Sequence, residues 1–218
     1  SINWARIIGQ IPYYFYATAK LNLLDRGISF CVPSGNFGNA YACYVSKIIG
    51  LPVRKIIIGS NRNDVLTRFF TGGSLKLSNV VATLSPSMDI QISSNLERYL
   101  FEIFNRSGSK TAKNLESLRM NGRIDISKNN LLKVKKTFEA YKLDDNGTLK
   151  NIKKVYNDTG KIIDPHSSVG FYSAMEAGKK SSVPIVTLAT AHPSKFPQAV
   201  REAIKVKAKL PRNISDSL

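Results

Sequence analysis

The sequence predicts an α/β fold with a mainly parallel sheet flanked by helices and a small helical insertion, and three observations carry that prediction. Ser29–Val32 and Val53–Ile58 are short apolar runs, the signature of strands buried on both faces of a parallel sheet. The helix between them, residues 39–49, is apolar nearly all round, so strand, helix and strand form one βαβ unit with a right-handed crossover. After a polar stretch the same character returns at Ile162–His166, in a helix near 167–178 and in a strand from Pro184 to Ala189.

Taken in order, Ile7, Ile8, Ile11, Tyr14, Phe15 and Thr18 recur at helical spacing and predict a buried helix over 3–24, kinked or broken at Pro12. The strand at 29–32 ends at Pro33, and the helix 39–49 is closed by Gly50, with Pro52 preventing its continuation. A helix is expected over 61–70, with Asn63 or Asp64 near its start, followed by a loop carrying Gly72-Gly73 and Ser85-Pro86-Ser87. Ser94-Asn95-Leu96-Glu97 has the form of a capping box opening a helix. Beyond 104 the chain turns Lys/Asn-rich with weaker helical periodicity at Leu115, Leu118, Leu131, Leu132, Val134, Phe138 and Tyr141. An amphipathic helix through Leu149, Ile152, Val155 and Tyr156 stops at Gly160, and a last helix is expected from Ser194 to Ile204, with a frayed tail at 210–218. The expected division is therefore residues 1–104 and 160–218 as one α/β domain, with 105–159 as a small helical insertion or subdomain.

Bulk properties exclude some function classes and leave others open. At 218 residues and 43% hydrophobic content the chain can bury a core. No apolar run reaches the roughly 18 residues of a membrane span. Residues 1–6 lack a signal-peptide layout. Cys31 and Cys43 read as buried reduced thiols of a cytoplasmic protein, and neither they nor His166 and His192 have metal-ligand spacing, so no metal site is expected. The net charge of +17 admits three explanations: nucleic-acid binding, a phosphorylated substrate, or an acidic partner surface or missing acidic part of the same chain. The basic residues are dispersed without interleaved aromatics, so nucleic acid is not the expected partner.

The segment Pro33-Ser34-Gly35-Asn36-Phe37-Gly38-Asn39 carries the chemistry. Two glycines between a strand and a helix let backbone N–H groups converge on one anion, and the helix N-terminus adds unpaired donors and a favourable dipole. Asn36 and Asn39 can add side-chain amides. No lysine follows the second glycine, which excludes a nucleoside-triphosphate loop, and the spacing departs from the three-glycine dinucleotide pattern. A plain tight turn is the alternative, and the turn does not by itself name its ligand.

With its neighbouring segments, the sequence resembles the threonine synthase family, whose fold is pyridoxal-phosphate (PLP) fold type II, like the tryptophan synthase β subunit. The resemblance rests on Ser1-Ile2-Asn3-Trp4-Ala5-Arg6 with Gln10 and Tyr13-Tyr14-Phe15, on residues 32–39, and on Asn61-Arg62-Asn63-Asp64 with Thr67-Arg68-Phe69-Phe70. It continues through Thr83 to Ile90, Asp164-Pro165-His166, and Thr190-Ala191-His192-Pro193-Ser194-Lys195-Phe196. It implies a cytoplasmic lyase of threonine biosynthesis that converts O-phospho-L-homoserine and water to L-threonine and phosphate with PLP as electron sink. By the resemblance, Gly35, Asn36, Phe37, Gly38 and Asn39 hold the PLP phosphate and Thr190 offers its hydroxyl to the pyridine nitrogen; a helix cap is the alternative for Thr190.

The Schiff-base lysine of the family has no counterpart in this chain, so no catalytic residue is assigned. The chain is therefore expected to be a C-terminal portion, inactive alone, with the N-terminal half of the same enzyme as partner. Asn3 and Arg6 are candidates to face the site, with a helix-terminus role as the alternative. Arg68 or Lys195 is a candidate to assist the substrate phosphate. Packed or hydrogen-bonded roles are expected for both histidines. The alternatives in function are another fold type II enzyme, such as a dehydratase or cysteine-synthase relative, and a non-catalytic basic binding module.

Overall fold

The computed structural model describes residues 3–209; the tail at 210–218 lies outside them. Four parallel strands form the central sheet in the order β5-β2-β1-β6, where β1 is Ile28–Pro33, β2 Val53–Ser60, β5 Phe138–Lys142 and β6 Ile185–Thr187. Every residue of β1 is buried, because it lies mid-sheet with helices on both faces, and that explains its unbroken apolar reading. The expected βαβ unit is present: β1, helix α3 (Gly38–Ile48) and β2, in parallel register from Phe30 opposite Ile56 to Pro33 opposite Gly59.

The N-terminal segment departs from the single helix expected. It forms α1 (Trp4–Ile8) and α2 (Ile11–Lys20), broken at Gly9 and Gln10. Pro12 sits in the first turn of α2, where its missing N–H costs nothing. Helix α4 (Val65–Gly72) begins after Asp64, whose carboxylate pairs with Arg68 at 2.8 Å and Lys142 at 2.8 Å rather than capping the helix. A two-stranded antiparallel ribbon, β3 (Ser74–Lys76) with β4 (Arg123–Asp125), was not foreseen.

The capping box also fails. Helix α5 (Leu96–Ile103) follows Asn95, and no side chain caps it; Ser94 and Asn95 reach instead to Asn36. Helices α6 (Gly108–Asn121) and α7 (Lys128–Thr137) fit the helical expectation for their segment, but Phe138 to Tyr141, assigned to a helical pattern, belong to edge strand β5. Helix α8 (Asp145–Thr159) ends at Gly160, which takes a left-handed φ of 69°. Helices α9 (Pro165–Gly178) and α10 (Pro197–Ile204) complete the layers. Beneath the β1–α3 turn, Phe37, Phe70, Tyr99 and Phe138 form an aromatic cluster with ring centroids 4.6–6.0 Å apart. Among the described residues no helix is long and apolar enough to cross a membrane.

Candidate functional site

A cleft of about 390 Å³ opens at the carboxyl ends of β1 and β6. The crossover from β1 leads to β2 on one side, while β6 pairs with β1 on the other, so the cleft lies where open α/β sheets bind ligands. The turn at residues 33–39 forms one wall; Arg6, Gln10, Ser87, Asn95, His166 and Thr190 complete much of the rest.

The turn is built to present donors. Its carbonyls are committed to the protein: Gly35 O accepts from Ser93 Oγ at 2.9 Å, and Asn36 O from Asn95 N at 3.1 Å and Nδ2 at 2.9 Å. Phe37 O accepts from Tyr41 N at 2.9 Å, and Asn39 O from the Tyr14 hydroxyl at 2.7 Å. Among the described residues, the backbone N–H groups of Gly35, Asn36, Phe37, Gly38 and Asn39 donate to no protein acceptor. They precede or begin an 11-residue helix that has no side-chain cap, so unpaired donors and the positive end of the helix dipole coincide.

Phe37 makes this geometry possible at a cost. Its φ of 60° is left-handed, uncommon for a residue with a bulky side chain. Burial of its ring against Phe70 (5.5 Å) and Phe138 (5.8 Å) holds that conformation in place, so Phe37 contributes its backbone to the cleft and its ring to the core. The two glycines differ. A Cβ on Gly35 would lie 2.4 Å from the Ser87 carbonyl oxygen, so the protein itself requires glycine there. A Cβ on Gly38 would meet only ordinary contacts at 3.5 and 3.7 Å, so the protein's own packing leaves that position open.

Thr190 lies exposed on the cleft beyond β6. The capping alternative for it falls away, because His192 caps the next turn, its Nδ1 accepting from Ser194 N at 3.2 Å. Arg6 lines the cleft, whereas Asn3 caps α1 by accepting from Ala5 N at 2.9 Å. Neither Arg68 nor Lys195 is among the lining residues; Arg68 is tied to Asp64 and to Lys76 O.

His166 has the packed, hydrogen-bonded role expected of it, and Asp164 is a helix cap. The Asp164 carboxylate caps α9, accepting from His166 N (2.8 Å), Ser167 N (3.3 Å) and the Ser167 hydroxyl. Burial pushes its pKa up, but the bonds from His166 and Ser167 outweigh burial and hold it below the usual carboxylate value. What the sequence did not reveal is that His166 also lines the cleft and that Ser93, Asn95 and Tyr14 brace the turn; these contacts join residues 25 to 79 positions apart. Cys31 and Cys43 are buried free thiols, with pKa values raised by burial. Among the described residues no cluster of metal-ligating side chains exists.

Comparison with known proteins agrees with this architecture. Residues 167–218 match the family model described as "Threonine synthase, C-terminal". The chain is 42% identical to threonine synthase of Pseudomonas aeruginosa over 99% of its own length and 46% of that protein. It superposes on the PLP-bound threonine synthase of Brucella melitensis with a TM-score of 0.95 at 44% identity, covering 99% of this chain and 46% of that one. For the yeast threonine synthase structure the values are 0.90 and 36%, with coverage of 99% and 48%. The chain thus spans about half the length of the curated relatives it matches.

Proposed function

Since the chain belongs to the threonine synthase family, we propose that it supplies the phosphate-anchoring side of a PLP-dependent active site that forms L-threonine and phosphate from O-phospho-L-homoserine and water. The observation that carries this reading is the turn at 35–39, with its carbonyls tied down and its N–H groups free at a helix N-terminus. A phosphate monoester fits there: it is dianionic, needs several donors, and approaches most closely where Gly38 leaves room. When bound, PLP supplies an electron sink for carbanions at the substrate's Cα and Cβ.

The chain's own residues have three tasks in this reading. Gly35, Asn36, Phe37, Gly38 and Asn39 fix the cofactor phosphate through their backbone N–H groups, and the aromatic cluster under Phe37 keeps those groups oriented. Thr190 would offer a neutral hydroxyl to the pyridine nitrogen of bound PLP, which would leave that nitrogen less firmly protonated than a carboxylate would. Arg6, the guanidinium lining the cleft, meets the second anion, the substrate phosphate, in place of the Arg68 and Lys195 considered from sequence. No lysine lines the cleft among the described residues, and we assign the covalent anchor and proton shuttle to a segment outside these 218 residues.

The test joins this chain to the N-terminal half of a relative and assays phosphate release from O-phospho-L-homoserine. Turnover that is lost in Gly38→Asp is the expected result; deamination of serine or threonine without phosphate release would favour a dehydratase instead.

A further inference from the structure

We infer that His166 is a positioning residue for the phosphate turn, held as the neutral Nδ1–H tautomer and acting through the Ser87 amide. The inference rests on reading residues 35–39 as the cofactor-phosphate cradle. His166 is only 4% exposed and packs against the Phe196 ring, with centroids 4.9 Å apart. Its Nε2 lies 3.2 Å from the Ser87 backbone nitrogen. That amide can only donate, so Nε2 accepts and carries no proton. The remaining proton sits on Nδ1 and is donated to Asp164 Oδ1 at 2.9 Å. Asp164, itself fully buried, is fixed by the first backbone amides of α9.

Ser87 belongs to a single 3-10 turn, Pro86–Met88, and its N–H has no other acceptor among the described residues. On the other side of the same residue, the Ser87 carbonyl abuts Gly35 closely enough that a Cβ would be 2.4 Å away. A continuous line of contacts therefore runs from the start of α9 through Asp164, His166 and Ser87 to the phosphate turn. Losing the Nε2 acceptor leaves the Pro86–Ser87 amide unpaired and loosens the turn that sets the Ser87 carbonyl against Gly35, a turn then held only by Met88 N donating to Ser85 O at 3.0 Å and its neighbours.

The two nitrogens can be separated by substitution, since an Asn amide reaches about as far as Nδ1 and a Gln amide about as far as Nε2. PLP binding to this chain joined to the N-terminal half of a relative, followed by absorbance and calorimetry, is expected to weaken on the order of tenfold in His166→Asn, which loses the bond to Ser87. His166→Gln restores an acceptor and is expected to recover most of that loss. Equal weakening in both variants, or no weakening in either, overturns the inference while leaving the cradle reading intact. Wild-type protein that fails to bind PLP overturns the cradle reading, and the inference with it. Independently of any variant's folding, 15N spectra of the wild type should show a protonated Nδ1 and a bare Nε2 at His166 near neutral pH; the opposite tautomer or the imidazolium would overturn the inference.

Discussion

The turn after β1 and the polar knot formed where the short loop after β2 (61–64) meets the long loop after β3 (77–95) lie against each other and do opposite things. After β1, residues 35–39 have their acceptors satisfied and their donors free. In the knot, the side chains of Asn61, Asn63, Thr83, Ser85 and Asp89 bond to one another instead. Asp89 accepts from Asn61 Nδ2 (2.7 Å), Asn63 Nδ2 (3.0 Å), Thr83 Oγ1 (2.6 Å) and Thr83 N (2.9 Å), and Asn61 also donates to Ser85 Oγ at 3.0 Å. These bonds tie the two loops together and place Ser87 and Met88 on the cleft wall. Motif-like polar residues thus divide into those whose donors stay free and those whose bonds hold the framework still, and the division is made by which donors are left over.

That contrast can be broken from either side. The largest loss of stability should come from Asp89→Ala, which removes the charged acceptor shared by Asn61, Asn63 and the Thr83 hydroxyl and leaves Thr83 N unpaired; urea unfolding should register about 3–4 kcal/mol. Gly35→Ala comes next at about 2–3 kcal/mol, because Ser87 or the turn must shift, and PLP affinity should fall with it. Gly38→Asp inverts the pattern. Its stability should change by less than about 1 kcal/mol, since the position is open and an acidic residue suits a helix N-terminus, whereas retention of PLP should be lost.

Asp164 gives a pH-dependent counterpart. Its folded pKa is depressed, so its contribution is present above the ordinary carboxylate pKa and disappears as pH falls through the folded value. Asp164→Asn should accordingly flatten the acid limb of the stability curve. The smallest effect belongs to Cys31 and Cys43, which should resist thiol reagents in the native protein, because burial holds both in the thiol form.

Much of this fold is readable in the residues themselves. A strand buried on both faces must be continuously apolar, and glycines and prolines punctuate its ends; that made β1, the turn, α3 and β2 visible. Strand β5 escaped because it is a half-buried edge strand directly after a lysine-rich helix, and its apolar positions continue that helix's spacing by coincidence. The ribbon of β3 and β4 is three residues per strand, too short for any period to register. The turn at 33–39 was visible as a motif, but its bracing was not, since Ser93 and Asn95 approach it from 58 and 59 residues away and Asn95 does so by abandoning a local capping role. The same long-range placement puts Arg6 and His166 on the cleft while Arg68 is turned away to Asp64.

Free backbone donors at residues 35–39 are proposed to hold the phosphate of PLP. The most direct measurement is an amide 15N–1H titration of the chain with PLP, compared with pyridoxal, which lacks the phosphate. The amides of Gly35 to Asn39 should shift strongly and saturably with PLP and remain in place with pyridoxal. Equal shifts with both ligands, or shifts confined to other parts of the chain, would contradict the claim.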